Sequence, residues 1–168
     1  MNFDVLEYSS AIGVLIVVAR ANVVHAIAFP ERWPDHKRRL ERHFPGATFA
    51  PVAALPRITR ALDAYFAGDL GALERLEVEP SGTDFQRKVW RRLRSIPPGG
   101  TTSYGSIARE IGAPSASRAV GAANGANPIS IVLPCHRVVG SSGDITGYAG
   151  GLDRKRWLLE HERRGTGG

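Results

Sequence analysis

Three apolar runs separated by short breaks open the chain: Phe3–Tyr8, Gly13–Ala19 and Val23–Phe29, with Ser9-Ser10 and Arg20-Ala21-Asn22 between them. Runs of this length, bounded by small polar residues, predict strands joined by turns, hence an antiparallel meander. The period then changes. Residues 33–43 and 56–66 carry helical patterns, the second with Ile58, Leu62 and Phe66 at four-residue spacing. Both are expected to cover the sheet. Gly68–Gly82 contains Gly, Pro and Ser and no long periodic element, which predicts a connection between halves and a boundary near residue 80.

The second half, 81–164, reads as mostly helical. Thr83-Asp84-Phe85-Gln86 is a capping box, in which hydroxyl and amide satisfy the free N–H groups at a helix start. Phe85, Val89 and Leu93 line one face of that helix, and Arg87, Lys88, Arg91, Arg92 and Arg94 form a solvated one, until Pro97-Pro98-Gly99-Gly100 ends it. A short helix from Tyr104 to Ile111, a turn at Gly112-Ala113-Pro114 and a helix capped by Ser115 and running to about Asn124 have helix-turn-helix spacing. The second of these helices holds almost only Ala, Gly, Ser and Asn, with Arg118 as its one long cation, so it is slim enough to approach another surface closely. A polar, glycine-rich loop, Gly140–Gly151, leads to the last helix, and residues 165–168 are expected to form a flexible tail.

Composition narrows the picture modestly. The 168 residues suffice for a sizeable core. Lys and Arg outnumber Asp and Glu by 22 to 16, a balance that fits a polyanionic partner without requiring one. No apolar run is long enough to span a bilayer, and the N-terminus lacks the pattern of a secretory leader, so a cytoplasmic protein without membrane contact is expected. A single cysteine excludes an internal disulfide. Histidines scattered at 25, 36, 43, 136 and 161 predict no metal site, and no cofactor site is expected.

The chemistry concentrates in the run Ile131-Val132-Leu133-Pro134-Cys135-His136-Arg137-Val138-Val139. A lone cysteine in an apolar run is commonly structural. Here His136 and Arg137 follow at once, and a thiolate favoured by nearby positive charge or a histidine base is a strong nucleophile. In extended backbone, adjacent side chains point to opposite faces, which makes a bridging water the expected proton path from Cys135 to His136. The imidazole needs an orienting carboxylate, and Glu160 and Glu162 on the last helix both qualify. Arg137 is expected to pair with an acid or with main-chain carbonyls.

The segment Thr101–Glu162 resembles the O6-alkylguanine-DNA alkyltransferase family in six ordered motifs: SYG at 103–105, SRAVG at 117–121, Asn127-Pro128, PCHRV at 134–138, GYAGG at 147–151 and KRWLLEHE at 155–162. Residues 1–80 resemble that family loosely, through length and the AYFAG segment at 64–68. The resemblance implies an α+β protein, with an RNase H-like N-terminal domain and a winged helix-turn-helix-like C-terminal domain. It implies single-turnover transfer of an alkyl group from O6-alkylguanine, and possible activity on O4-alkylthymine, in double-stranded DNA to Cys135, by a monomer without an obligate protein partner. Catalytic roles fall on Cys135, His136, Glu162, Tyr104 and Asn127, with Tyr104 donating toward the altered base and Asn127 tying its helix to the cysteine segment. Substrate and DNA contacts fall on Arg118, which enters the base stack, on Ser115, Ala119 and Ala122 beside it, on Tyr148, Ala149 and Val138 around the base, and on Ser130 and Thr146 at the pocket rim. Relatives that carry zinc in the N-terminal half use thiol ligands without counterpart here. Three other readings stand beside this one. A lesion-binding module without chemistry is opposed by Cys135 itself. A regulator would carry a further cysteine-bearing module. A cysteine hydrolase would share the Cys/His/acid set and is separated by a thiol-ester substrate screen.

Overall fold

The computed structural model describes residues 1–167, which divide into two compact units: Met1–Ser81 with Pro128–Ser130, and Gly82–Asn127 with the chain from Ile131 onward. The first unit is built on a four-stranded sheet in the order β3-β2-β1-β4. Strands β1 (Asn2–Ser10), β2 (Gly13–Arg20) and β3 (Val23–Ala28) form the expected antiparallel meander. Central β2 is buried from Leu15 to Ala19, on both pleat faces, which is why its sequence is continuously apolar rather than alternating. Helix α1 (Trp33–His43) contributes Leu40 to a cluster with Phe3, Ile16, Val18 and Ala26, edged by Trp33, Phe44 and Phe49. Helix α2 (Pro56–Phe66) buries Ile58, Leu62 and Tyr65, with Phe66 half-buried.

Several expectations are corrected in this unit. The sheet is mixed, because β4 (Thr48–Pro51) pairs with β1 in parallel. Four residues with weak alternation give little signal for a strand whose partner lies some forty-five positions away. The first turn lies at Ala11-Ile12, and Ser9-Ser10 continue β1; the Ser10 hydroxyl closes the turn by donating to the Gly13 carbonyl. Ser130 lies in this unit, its N–H donating to the Ile27 carbonyl as Ile129 bridges to β3.

In the second unit the capping box forms as read: Gln86 N–H donates to Thr83 Oγ1, and Thr83 N–H to Gln86 Oε1, at the head of α3 (Asp84–Arg94). Val89, Trp90 and Leu93 are its buried residues, whereas Phe85 is half-buried. The Trp90 indole N–H donates 2.8 Å to the Ala123 carbonyl, which locks the ring in place. Helices α4 (Tyr104–Glu110) and α5 (Ser117–Gly125) pack on each other, and α5 also packs on α3. Ser115 is not the cap of α5. The cap position is Ala116, without a side-chain bond, and Ser115 lies in the preceding turn, too early to reach the first free N–H groups. A short parallel pair joins β5 (Thr102–Ser103) to β6 (Val138–Val139). The expected tail at 165–168 is partly helix: α6 (Leu152–Gly165) continues past 164, and Thr166 N–H donates to the Glu162 carbonyl while its hydroxyl donates to that of Arg163. Gly168 lies outside the described residues.

The pinned indole makes one position intolerant. A Cβ at Gly82 would stand 2.4 Å from Cη2 of Trp90, a ring held by its own hydrogen bond and unable to move aside. Gly82→Ala is therefore expected to cost about 1–3 kcal/mol, the usual range for overpacking. A denaturant midpoint unchanged from the parent protein contradicts this.

Candidate active site

Cys135 opens a single 3-10 turn, Cys135–Arg137, so the backbone there is not extended as its apolar neighbours suggested. The segment reaches that turn through Ile131, a β-branched residue at φ +74°, a conformation such residues rarely adopt. It is held by two asparagines of the preceding helix end. Asn127 Nδ2 donates 2.7 Å to the Leu133 carbonyl, and Asn124 Nδ2 donates 3.3 Å to that of Cys135. In a turn of three residues, successive side chains splay by about a third of a revolution. His136 thus still points away from the sulfur, by a different geometry from the one expected.

His136 is fully buried, and its Nε2 lies 2.7 Å from Oε1 of Glu162, also fully buried. Arg137 grips the same carboxylate with two nitrogens, Nε to Oε2 at 2.9 Å and Nη2 to Oε1 at 2.7 Å, and donates through Nη1 to the Ile96 carbonyl at 2.6 Å. This decides between the two acids: Glu160 is paired with Arg163 on the surface. Burial alone would raise the Glu162 pKa, but the hydrogen bonds and charges of His136 and Arg137 outweigh it and hold the carboxyl well below the usual range. Burial lowers the His136 pKa against the opposing pull of Glu162, so the resting imidazole is neutral. With Nε2–H donating to Glu162, the tautomer leaves Nδ1 as an acceptor, and that buried atom has no hydrogen-bond partner among the described residues.

The thiol needs such an acceptor. Cys135 is 4% exposed, and burial pushes its pKa up; the Asn127 side chain, the charge of Lys155, the local backbone and the Tyr148 hydroxyl pull it back incompletely. Lys155 is a residue that sequence reading missed. It is fully buried, and its ammonium donates to the carbonyls of Val138 (2.6 Å), Thr146 (2.7 Å) and Gly147 (3.0 Å). A signal existed: Lys155, Leu158 and Glu162 recur at i, i+3 and i+7 on α6, and all three are buried. Asn124 was also missed, its short polar side chain being indistinguishable in sequence from the other small residues of α5.

Beside the thiol's turn lies a cavity of about 160 Å³ lined by Tyr104, Gly121, Asn124, Gly125, Gly147, Tyr148 and Ala149. Tyr104, Tyr148 and Ala149 thus share one cavity. The Tyr104 hydroxyl, its pKa raised by burial, donates 3.2 Å to the Thr146 carbonyl. Thr146 serves through this carbonyl, and neither Thr146 nor Ser130 lines the cavity. Val138 is buried in β6. On α5 the exposed residues include Arg118, Ala119 and Ala122, and Ser115 is exposed in the turn before it. Arg118 lines a separate groove of about 610 Å³ with Tyr104, Arg109 and Ser117. Among the described residues no group of three or more His, Cys, Asp or Glu is placed to hold a metal, and no helix is long and apolar enough to cross a membrane.

The family described as 6-O-methylguanine DNA methyltransferase, DNA binding domain, matches residues 84–164. A methylated-DNA–protein-cysteine methyltransferase of Mycolicibacterium paratuberculosis is 48% identical across 95% of this chain and 93% of its own. One of Salmonella typhimurium is 49% identical over 136 residues, 77% of this chain and 80% of its own. The crystal structure of Mycobacterium tuberculosis OGT in complex with DNA superposes with a TM-score of 0.80 at 42% identity, covering 96% of this chain and 94% of that one.

Proposed function

The chain belongs to the methylated-DNA–protein-cysteine methyltransferase family, and from that premise we propose how its residues divide the work of moving an alkyl group from O6-alkylguanine in duplex DNA to Cys135. The observation that carries the assignment is the buried chain from Glu162 to His136, ending in an unpartnered Nδ1 within the same turn as the only thiol. His136 Nδ1 takes the thiol proton through a water molecule, and Glu162 stabilises the imidazolium that results. The sulfur attacks the alkyl carbon: an S–C bond forms, the C–O6 bond breaks, and the electron pair passes into the purine. The Tyr104 hydroxyl, exchanging the Thr146 carbonyl for the base, donates to the charge developing there. Asn127 fixes the backbone that carries the nucleophile. Arg137 holds Glu162 and touches no reacting atom.

The base occupies the cavity between Tyr104, Tyr148 and Ala149, with Gly121, Gly125 and Gly147 allowing close approach. Val138 backs the site through β6. A thioether is a poor leaving group at neutral pH, so each molecule acts once. The partner is duplex DNA, bound by a cytoplasmic monomer along α5 and the turn before it, where Ala119, Ala122 and Ser115 leave room at the surface. An RNase H-like description of the first unit fits its meander with a parallel fourth strand, and a winged helix-turn-helix-like description of the second fits α4, α5 and the β5–β6 pair. Intact mass after incubation with an O6-methylguanine duplex, followed by peptide mapping, tests the acceptor: one methyl per chain, on the Cys135 peptide, is expected. Turnover in substrate excess contradicts the reading.

Arg118 makes no hydrogen bond or ion pair with the other described residues, and it is exposed on a helix whose other outward side chains are small. It fills the gap left by an everted base. Arg118→Ala should slow repair within a paired duplex much more than transfer from free O6-benzylguanine, which requires no eversion. Charge reversal at Lys88 or Arg91 should change mainly the salt dependence. Equal losses on duplex and free base would remove Arg118 from the base stack.

A further inference from the structure

A second cationic cavity, of about 530 Å³, lies wholly within the first unit. Arg57 and Arg60 reach it from the first turns of α2, and Arg75 from the 3-10 turn at 72–75. Cations are poorly placed at a helix N-terminus, where the backbone already presents partial positive charge. Here the first turn of α2 holds no acidic residue, and its cap position, Leu55, offers no side-chain bond. Arg57 and Arg60, three residues apart, also repel each other on one face. All three arginines are exposed and solvated: among the described residues none of their guanidinium groups has a hydrogen bond or ion pair. Folding alone gains nothing from this arrangement, whereas an anion would relieve all of it at once.

The remaining lining tells what else the ligand carries. The cavity has the volume of a site for a small organic molecule, far more than a lone phosphate fills. Ala61, Ala64, Ala72 and Leu76 give it an apolar wall of short side chains, against which a flat ring can lie. The exposed carboxylate of Glu77 would repel a second anionic group and accept hydrogen bonds from amino or hydroxyl groups. We propose that this cavity binds a nucleoside monophosphate unit, with the phosphate on Arg57, Arg60 and Arg75, the base against the alanine wall and Glu77 on a polar edge. The unit comes from a free nucleotide or from a single-stranded nucleic acid.

Amide-resolved NMR titration of the full chain tests this with dGMP, deoxyguanosine, inorganic phosphate and a short oligothymidylate. Saturable dGMP shifts at the amides of Asn22, Arg57, Ala61 and Arg75 are expected. R57Q/R60Q should weaken dGMP binding about tenfold or more, since a hydrogen bond to a charged group contributes about 1.5–3 kcal/mol. The same variant should keep its transfer rate from O6-benzylguanine, which shows that it folds. Tighter binding of oligothymidylate than of dGMP at the same amides supports the site and identifies the strand as the source; the reverse order supports the free nucleotide. Deoxyguanosine or inorganic phosphate binding as tightly as dGMP would overturn the proposal. So would shifts scattered away from the cavity, or dGMP affinity unchanged in a folded R57Q/R60Q.

Discussion

Replacing Cys135 with Ala is expected to leave no measurable alkyl transfer from an O6-methylguanine duplex while affinity for that duplex is retained. The loss is total because no second thiol exists in the chain to take over, and the only bond formed to the alkyl group is to that sulfur. Folding is affected little: removing one buried sulfur costs about 1 kcal/mol, in the range of other single-atom truncations in a core. A single-turnover assay with a labelled methyl group, run beside a binding titration, separates chemistry from recognition. Label found on the Cys135→Ala protein would end the assignment.

Glu162→Gln is expected to act twice. The amide can still accept from His136 Nε2–H, but it brings no charge to favour the imidazolium, and general-base assistance is typically worth about 10²- to 10⁴-fold in rate. Its NH₂ group also faces Arg137, whose guanidinium then lies buried without an anion. Breaking a buried pair in this way costs about 3–5 kcal/mol. Glu160→Gln, on the surface with Arg163, should change neither quantity. Because the folded-state pKa of Glu162 is depressed, its contribution to stability is present above the unfolded carboxyl value of about 4.3 and is lost as pH falls below it. His136 adds to the same trend. Its folded pKa lies below the unfolded value of about 6.5, so the unfolded state gains the proton first and stability already falls as pH drops through that value. The Glu162→Gln protein should therefore lose less stability on acidification below pH ~4 than the parent. Equal acid slopes, or an unaltered transfer rate, would remove Glu162 from the relay.

What sequence could tell depended on how local each determinant is. The capping box at Thr83 and the helices at 33–43 and 56–66 are fixed by residues within a turn or two of one another, and they form where their patterns fall. Strand β4 is defined by a partner in β1, and its four residues carry no comparable signal. The cysteine segment shows the same division. PCHRV pointed to Cys135 and His136, but the 3-10 turn that carries them is held by Asn124 and Asn127 gripping the carbonyls of Cys135 and Leu133. Lys155 escaped because a lysine on a helix is ordinarily solvated, and only the three carbonyls converging from β6 and the loop after it make burial tolerable. The family resemblance alone implied a rim position for Ser130; its N–H bonds to the Ile27 carbonyl at the edge of the first unit's sheet, a long-range pairing that nothing local in the sequence announces.

The outward face of α5 has a consequence for how this chain can vary. A Cβ added at Gly125 meets nothing within 4 Å, and Ala119 and Ala122 are exposed. Longer side chains there cross no packing threshold, and Gly125, the last residue of α5, could become Ala at no cost to the fold. If that face is the one that enters a DNA groove, drift at these positions is silent to folding and to every thermal screen. It is held in check by access to damaged bases alone, so the protein can keep its full stability and lose its use in the same step.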